Sequence, residues 1–521
     1  MKEGLLDKQV LAMYDVRGIQ SYIFKSNKAK EIIGASVIVA NIITAGLNEY
    51  IKNRVQDSNK SKYMTNWEND CPTAFIDNKD IAMQVMFVGG GNAYVLFRTG
   101  EICSEVNKFL AKYVLNATYS LNLAVAVVKK TESYANDYKL INEEMRNIKA
   151  YMPLTQPIGA MPFMEADSIT GYPITCRKKV DKNTEISLCT EARLKREAFP
   201  DDEDEKIFDN MVSEKGDNSL LAVCHIDGNS MGKRIIREMN EVKGYSEAIR
   251  KMRKLSLSIS STFEETFGKM TSYMDEMSDK VSEKAVKSGH KLYRRIIVAG
   301  DDITFVCNAK LAIPAVKKFI DSLCDDENSK YSACGGIAIF NSHFPFSDAY
   351  EVAEACCDCA KERAKKNKDG SGQIGNYIDF QMCTNISASH LGNYRDRHYV
   401  SDIGSFIARP YYVAQKNDSE GIREAGKKYD LQDFINVCKY LNTKPRSKAK
   451  LFRDAISSGK NEIKQLNTFL KSREFCINEE FGDDDDKIKW PVVYDAVEMM
   501  DLCVPELFKN DKKNKKDGAE V

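Results

Sequence analysis

Arg294-Arg295-Ile296-Ile297-Val298-Ala299-Gly300-Asp301-Asp302-Ile303-Thr304-Phe305-Val306 is the stretch on which the fold turns. Two apolar runs flank a Gly-Asp-Asp tip, the pattern of a β-hairpin with adjacent carboxylates on its turn. Upstream, a second apolar run from Leu220 to Ile226 ends in Asp227-Gly228-Asn229-Ser230-Met231-Gly232. One carboxylate at a strand end beside two on a neighbouring hairpin suits a divalent ion and a nucleoside triphosphate. Mg²⁺ takes hard oxygen ligands, usually one or two carboxylates plus substrate phosphates. Two such ions can activate a 3′-hydroxyl and stabilise departing pyrophosphate. A Gly-Asp pair also closes ordinary hairpins. The strand-Asp-Gly element 74 residues before Asp301 favours the chemical reading.

The arrangement occurs twice. Val10 to Met13 lead through Tyr14 to Asp15, with Gly18 soon after, and 76 residues beyond Asp15 a second hairpin pattern, Ala82 to Phe97, turns at Gly89-Gly90-Gly91-Asn92. A further apolar strand follows each tip, Leu121 to Val128 and Gly335 to Phe340. Helical patterns, Ala29 to Ile51 and Tyr245 to Phe267, lie between strand and hairpin. Repeated order and spacing point to two copies of one domain. The β-α-β-hairpin-α-β order is that of a ferredoxin-like, palm-type sheet with helices on one face. The fold class is therefore α+β, with two palms in tandem. The first tip carries no acid, so the carboxylate pair belongs to the second copy alone.

Gly18-Ile19-Gln20-Ser21-Tyr22-Ile23-Phe24, then Lys28 to Ser36, then Gly89 to Asn92, resemble the first palm of the type III CRISPR large subunit family. The Asp227-Gly228-Asn229 strand end, Gly300-Asp301-Asp302, and Gly335-Gly336-Ile337-Ala338-Ile339 with His343, Pro345 and Ala353-Glu354 beyond, resemble its second palm. The resemblance runs over residues 10 to 390; residues 430 to 510 match that family's C-terminal helical domain by pattern only. It implies an antiviral enzyme that joins ATP into cyclic oligoadenylate messengers at a site formed between the two palms. It also implies guide or target RNA and other effector subunits as partners.

Two departures stand out. The family's N-terminal nuclease domain needs a His-Asp dipeptide, whereas His225, His290, His343, His390 and His398 precede Ile, Lys, Phe, Leu and Tyr. The first strand pattern starts near residue 10, so a short form without that nuclease is expected. Between the palms, Cys176 and Cys189 stand 13 residues apart with no second thiol or histidine near either. A structural zinc needs four ligands, so unliganded thiols are expected there.

Composition sets the remaining bounds. A chain of 521 residues exceeds a single core and divides into roughly three or four domains. The expected boundaries are a first palm over 1–130, an interpalm segment over 131–215, a second palm over 216–393 and a C-terminal helical part over 394–521. Hydrophobic residues make up 43% and charged ones 29%, the balance of a packed protein in water. No apolar run approaches the roughly 20 residues that span a bilayer; Ala35 to Ala45 is broken by Asn41. No membrane contact and no signal peptide are expected. Fifteen cysteines fit a reducing cytoplasm. Cys356, Cys357 and Cys359 read as buried thiols on a packed helix. With 76 basic and 76 acidic residues the net charge is zero, which weakens any reading as a stand-alone nucleic-acid scaffold. The acidic runs Asp201 to Glu205 and Asp483 to Asp486 read as solvated linkers, and the Lys509 to Lys516 tail as disordered. Leu431, Phe434, Ile435, Cys438 and Leu441 recur at helical spacing and read as core. Arg446 reads either as a phosphate contact or as the start of a helix after Pro445.

Asp227, Asp301 and Asp302 are the candidate catalytic and metal-binding residues, for two Mg²⁺ or Mn²⁺ ions with ATP as substrate. The turn Gly228, Asn229, Ser230 and Gly232 precedes a helix whose N–H groups can cradle a triphosphate, and Gly300 shapes the tip. Lys361 follows Ala360 where related nucleotide cyclases place a phosphate-contacting lysine; a solvated lysine among Arg363, Lys365 and Lys366 is the other reading. Gly91 and Asn92 are candidates for contact with a second nucleotide. Two other functions fit these residues less well. A diguanylate cyclase would need a Gly-Gly-Asp/Glu-Glu-Phe tip in place of Ala299-Gly300-Asp301-Asp302-Ile303 and leaves the first palm unexplained. A non-catalytic scaffold subunit fits poorly with three retained carboxylates, because adjacent carboxylates repel.

Overall fold

A computed structural model of the chain describes residues 3–89, 91–152, 157–179, 185–201, 206–212, 219–240, 242, 244–282, 289–325, 331–369, 372–383, 391–473 and 488–508. Gly90, His390, residues 202–205 and 483–486 of the acidic runs, and the 509–516 tail lie outside them. The chain divides into two compact units: Met1–Glu205, Ser230–Glu264 and Ile296–Asp302 form the first, and Lys206–Asn229, Glu265–Arg295 and Ile303–Val521 the second.

The first unit holds a sheet of β1 (Val10–Arg17), β2 (Tyr63–Met64), β3 (Met83–Gly89), β4 (Asn92–Phe97) and β5 (Asn122–Lys129), in the order β2-β3-β4-β1-β5. β1 is antiparallel to both neighbours, with Asp15 opposite Asn92 on β4 and Ala124 on β5. The expected 29–51 helix is two helices, α1 (Ala29–Ala40) and α2 (Ile42–Arg54), bent by 59° at Asn41. Asn41 sits at φ −124°, ψ 11°, and sends its N–H to Val39 O, so the α-ladder stops there. Among the described residues no single helix is long and apolar enough to cross a membrane.

Strand alternation places the remaining helices. Tyr14 sends its hydroxyl to Asn107 of α3 (Gly100–Thr118) on one face of β1. Leu11 and Met13 pack on the other face with Ile141 and Met145 of α4 (Tyr134–Tyr151). That cluster also takes Met239 of α6 (Met231–Asn240) and Ile249 of α7 (Tyr245–Val281); α5 (Thr190–Glu197) lies between α4 and α6 in the chain. Helices thus cover both faces, not one. Strands buried on both sides read as continuous apolar runs, which is why β1 shows no alternation. A β-bulge at Met86 leaves carbonyls off the ladder, and buried Arg253 donates to Met86 O (2.9 Å) and Val85 O (3.0 Å).

A second sheet repeats the plan. β6 (Leu220–Gly228), β7 (Tyr293–Ala299), β8 (Asp302–Asn308), β9 (Ala333–Asn341), β10 (Tyr377–Met382) and β11 (Tyr411–Tyr412) form a sheet in the order β11-β10-β9-β6-β8-β7. Hairpin, first strand, third strand is the order in both sheets, β3-β4-β1-β5 and β7-β8-β6-β9. α8 (Ala309–Cys324) and α9 (Phe346–Lys366) lie on opposite faces: a Cβ on Gly335 would meet Val316 of α8, and one on Gly336 would meet the backbone of α9. Among the described residues the C-terminal part includes α10 (Leu431–Asn442), α11 (Arg446–Ser458), α12 (Lys460–Lys471) and α13 (Trp490–Met499). Leu431, Phe434, Ile435, Cys438 and Leu441 are all buried in this part. Arg446 begins α11, exposed, 3.4 Å from Asp501.

Candidate functional site

The site begins with the pairing of β6 and β9. His225 lies opposite Gly336 and Asp227 opposite Cys334. Residues two apart on a strand share a face, so these four line the side covered by α9. Gly336 lets the helix come down: a Cβ there would stand 2.0 Å from Ala353 O and 2.3 Å from Cys357 N. One step along the sheet, Cys357 Sγ lies 3.4 Å from Cys334 O. One helical turn further, Lys361 reaches the last charged residue of β6, and its Nζ sits 2.5 Å from Asp227 Oδ2. The pair is partly open to solvent, at 20% exposure for Lys361 and 30% for Asp227. Burial works against the Lys361 ammonium, but Cys357 and the Asp227 carboxylate outweigh it and hold its pKa above the usual lysine value. Burial pushes the Cys357 thiol well up.

Beneath them His225 is buried, with Nδ1 3.2 Å from Thr304 Oγ1 and its ring edge-on to Tyr350. Burial drives its pKa down to about 4, so the imidazole is neutral at physiological pH. Sequence reading passed over His225; its place two residues before Asp227 on an apolar strand was the available signal.

Asn229 turns inward, sending its N–H to Ser332 O (2.7 Å) and its side-chain amide to Ser332 Oγ (3.1 Å) and Gly375 O (3.2 Å). Its amide N–H groups therefore brace the strand end. Ser230 takes a left-handed conformation, φ 58°, and α6 starts at the next residue, with Gly232 exposed in its first turn. Gly300 has φ +69° at the hairpin tip, a conformation that favours glycine. Asp301 follows in the turn, and Asp302 opens β8. Both are partly exposed. Among the described residues no three His, Cys, Asp or Glu side chains gather as a cation site. Cys189 caps α5, accepting from Ala192 N at 3.5 Å, and Cys176 lies on a separate short strand.

The first unit has a counterpart. Asp15, at the matching end of β1, is ion-paired with Lys149 of α4, the helix after the third strand of that copy. Gly91 turns the tip at φ +80°, and Asn92 Oδ1 is buried without a hydrogen-bond partner. The tip's carboxylates are absent there, yet the strand-end aspartate and its lysine remain.

Sheet order, the Gly336 approach and the helix over β6 define a palm-type domain. Residues 220–369 match the family profile described as Cas10/Cmr2, second palm domain. Asp227, Gly300, Asp301, Asp302 and Lys361 all fall inside the match. No curated protein matches the chain. Among solved structures, a Csm1–Csm4 cassette in complex with cA3 aligns at 13% identity and a TM-score of 0.48, and one with cA4 at 12% and 0.47. Csm1 from T. onnurineus aligns at 12% and 0.46. Each alignment covers 96% of this chain and 70% of the other.

Proposed function

We propose that this protein is a palm-type nucleotidyltransferase that joins ATP into cyclic oligoadenylate messengers, as the large subunit of an RNA-guided antiviral complex. The observation that carries the reading is Lys361 seated on Asp227 inside the matched palm segment. A strand-end carboxylate with a cationic partner, in a palm whose hairpin tip carries two more carboxylates, supports a phosphoryl-transfer reading. The choice of ATP, of a cyclic product, and of RNA and other effector subunits as partners rests on the family resemblance.

Carboxylates are the donors a hard divalent ion takes, although in this structure Asp227, Asp301 and Asp302 do not gather into one cation site. Asp227 offers a partly exposed carboxylate already balanced by a positive charge, with the Lys361 ammonium standing in for a cation. Asp227, Asp301 and Asp302 would hold Mg²⁺ or Mn²⁺, which when bound lowers the pKa of an attacking hydroxyl and screens the leaving pyrophosphate. The chain's own groups do the remaining work. Backbone N–H groups where Ser230 leads into α6 present the positive end of a helix to phosphate oxygens. Gly228 and Gly232 keep the approach to that turn open, and Gly300 sets the tip so that Asp301 and Asp302 follow in order. Asn229 holds the end of β6 through Ser332 and Gly375. Lys361 neutralises phosphate charge as a point cation. Gly91 and Asn92 contact a second nucleotide, the unpartnered Asn92 Oδ1 accepting from a base amine or sugar hydroxyl.

The test is direct. Purified protein is incubated with each nucleoside triphosphate, Mg²⁺ or Mn²⁺ and RNA activators, and products are resolved by mass spectrometry. Oligoadenylate and pyrophosphate are expected. No product from any triphosphate would end the enzymatic reading.

A further inference from the structure

Arg253 lies in α7, and its buried guanidinium donates to three backbone carbonyls: Nε to Met86 O (2.9 Å), Nη2 to Val85 O (3.0 Å) and Nη1 to Asp70 O (2.6 Å). Burial lowers its pKa from the usual arginine value. Buried charges are ordinarily paired with opposite charge, so a cation committed to neutral oxygens is a costly way to satisfy carbonyls. What it holds is a β-bulge. The β3–β4 register steps between Val85, opposite Val95, and Phe87, opposite Tyr94. The extra residue brings Gly89 opposite Asn92, with only Gly90 and Gly91 between them in sequence. Asn92 in turn lies opposite Asp15 on β1. The bulge also re-aims the side chains that follow it. Residues two apart on a strand share a face, and a Cβ on Gly89 would stand 2.8 Å from the Phe87 ring. That ring packs against Trp67, edge-on at 5.7 Å, and Tyr94, stacked at 6.4 Å. Asp70 follows Trp67 by three residues, so Arg253 holds the bulge directly and also the segment whose ring packs on Phe87.

From this we infer that Arg253 is a positioning residue: by closing on the bulge it sets the hairpin tip at which Gly91 and Asn92 meet the second nucleotide. The nucleotide half rests on the function proposed above. Bulges bend a strand and re-aim side chains beside active sites, and this one comes three residues before the tip. Arginine suits the task because its planar fork reaches several oxygens at once, whereas lysine offers a point charge. Without the fork, the Val85 and Met86 carbonyls lose their donor, and a buried acceptor left unpaired is unfavourable. The ladder can then slip toward the regular register in which Val88, not Gly89, faces Asn92. A one-residue slip turns every following side chain to the other face, taking Phe87 from beneath Gly89 and lengthening the turn. Arg253 touches no substrate on this account; it acts through the backbone of β3.

Amide hydrogen exchange of the full chain without nucleotide, read by mass spectrometry with electron-transfer fragmentation, tests the clamp. In Arg253→Met, amides past the bulge, Phe87 to Gly89 and Asn92 to Tyr94, should exchange about tenfold faster than in wild type, the scale of one charge-assisted hydrogen bond lost. Met83, Gln84, Leu96 and Phe97, on the near side of the bulge, should keep wild-type rates. Arg253→Lys should fall between the two, and it serves alone if Arg253→Met does not fold. Wild-type rates past the bulge, or equal acceleration on both sides of it, overturn the inference. A second readout separates positioning from stability. The KM for ATP in oligoadenylate synthesis should rise severalfold in Arg253→Lys with kcat little changed, whereas a smaller folded fraction lowers kcat alone. An unchanged KM in a variant whose tip exchanges faster overturns the nucleotide half and leaves the enzymatic reading intact. If wild type makes no product from any triphosphate, the enzymatic reading ends, and the exchange rates alone decide whether Arg253 sets the tip.

Discussion

Lys361 Nζ lies 2.5 Å from Asp227 Oδ2, joining the last turns of one helix to the end of one strand across residues 134 apart in the chain. Neither residue reaches the other by local structure. The meeting depends on β6 pairing with β9, on Gly336 admitting α9, and on the turn that carries Lys361 past Cys357. A site of this kind is sensitive to changes well away from its charged groups.

Gly336→Ala is the sharpest case. Its new methyl would lie 2.0 Å from Ala353 O and 2.3 Å from Cys357 N, both backbone atoms. Overpacking of this sort destabilises by about 1–3 kcal/mol or more, and it lifts α9 from the sheet. A lowered melting temperature is expected, with loss of whatever Lys361 does at Asp227. Wild-type stability would contradict the backbone contact.

Asp301→Ala with Asp302→Ala should abolish product formation while the protein stays folded. Both side chains are partly exposed at a turn, and removing two adjacent like charges relieves repulsion. Mass spectrometry of products and a denaturant titration check the two halves. Undiminished synthesis in the double variant would remove the tip from the chemistry.

His225 makes stability depend on pH. Burial holds its folded pKa near 4, below the unfolded value of about 6.5. Between these values the unfolded chain takes up the proton and the folded chain does not. The contribution is complete above pH ~6.5 and is lost as pH falls toward 4, roughly 3 kcal/mol in all. His225→Gln should flatten that part of the stability profile. An unchanged slope would show that other groups govern it.

Asp495 ties the C-terminal helices to the edge of the second sheet. It accepts from Ala408 N (2.9 Å), Arg409 N (3.1 Å), Arg409 Nη1 (3.1 Å) and Tyr411 Oη (2.7 Å), and both Asp495 and Arg409 are fully buried. Asp495→Ala leaves the buried Arg409 charge to Glu498 and to the Gln381 amide oxygen, 3.3 Å from Arg409 Nη2. Breaking a buried pair destabilises by about 3–5 kcal/mol. Replacing Asp495 and Arg409 together with apolar residues should be milder than either single change, and chemical denaturation measures both.

Residue order alone determined the strands, the two hairpins, the repeat and the apolar seam of α10. Each is a local pattern: apolar runs, Gly-containing turns, and a 3.6-residue period at Leu431, Phe434, Ile435, Cys438 and Leu441. The split at Asn41 was visible as an interruption, but its 59° bend was not. Helices on both sheet faces were missed because a strand's apolar run says only that both sides are covered, not by which helix. What tertiary structure decided is which charges meet. Lys361 with Asp227, Lys149 with Asp15, Arg253 with the Met86 bulge and Arg409 with Asp495 all join residues at least 86 apart in the chain. Long side chains of one charge look alike in sequence, and only the strand register and the depth to which a helix settles select a partner for each.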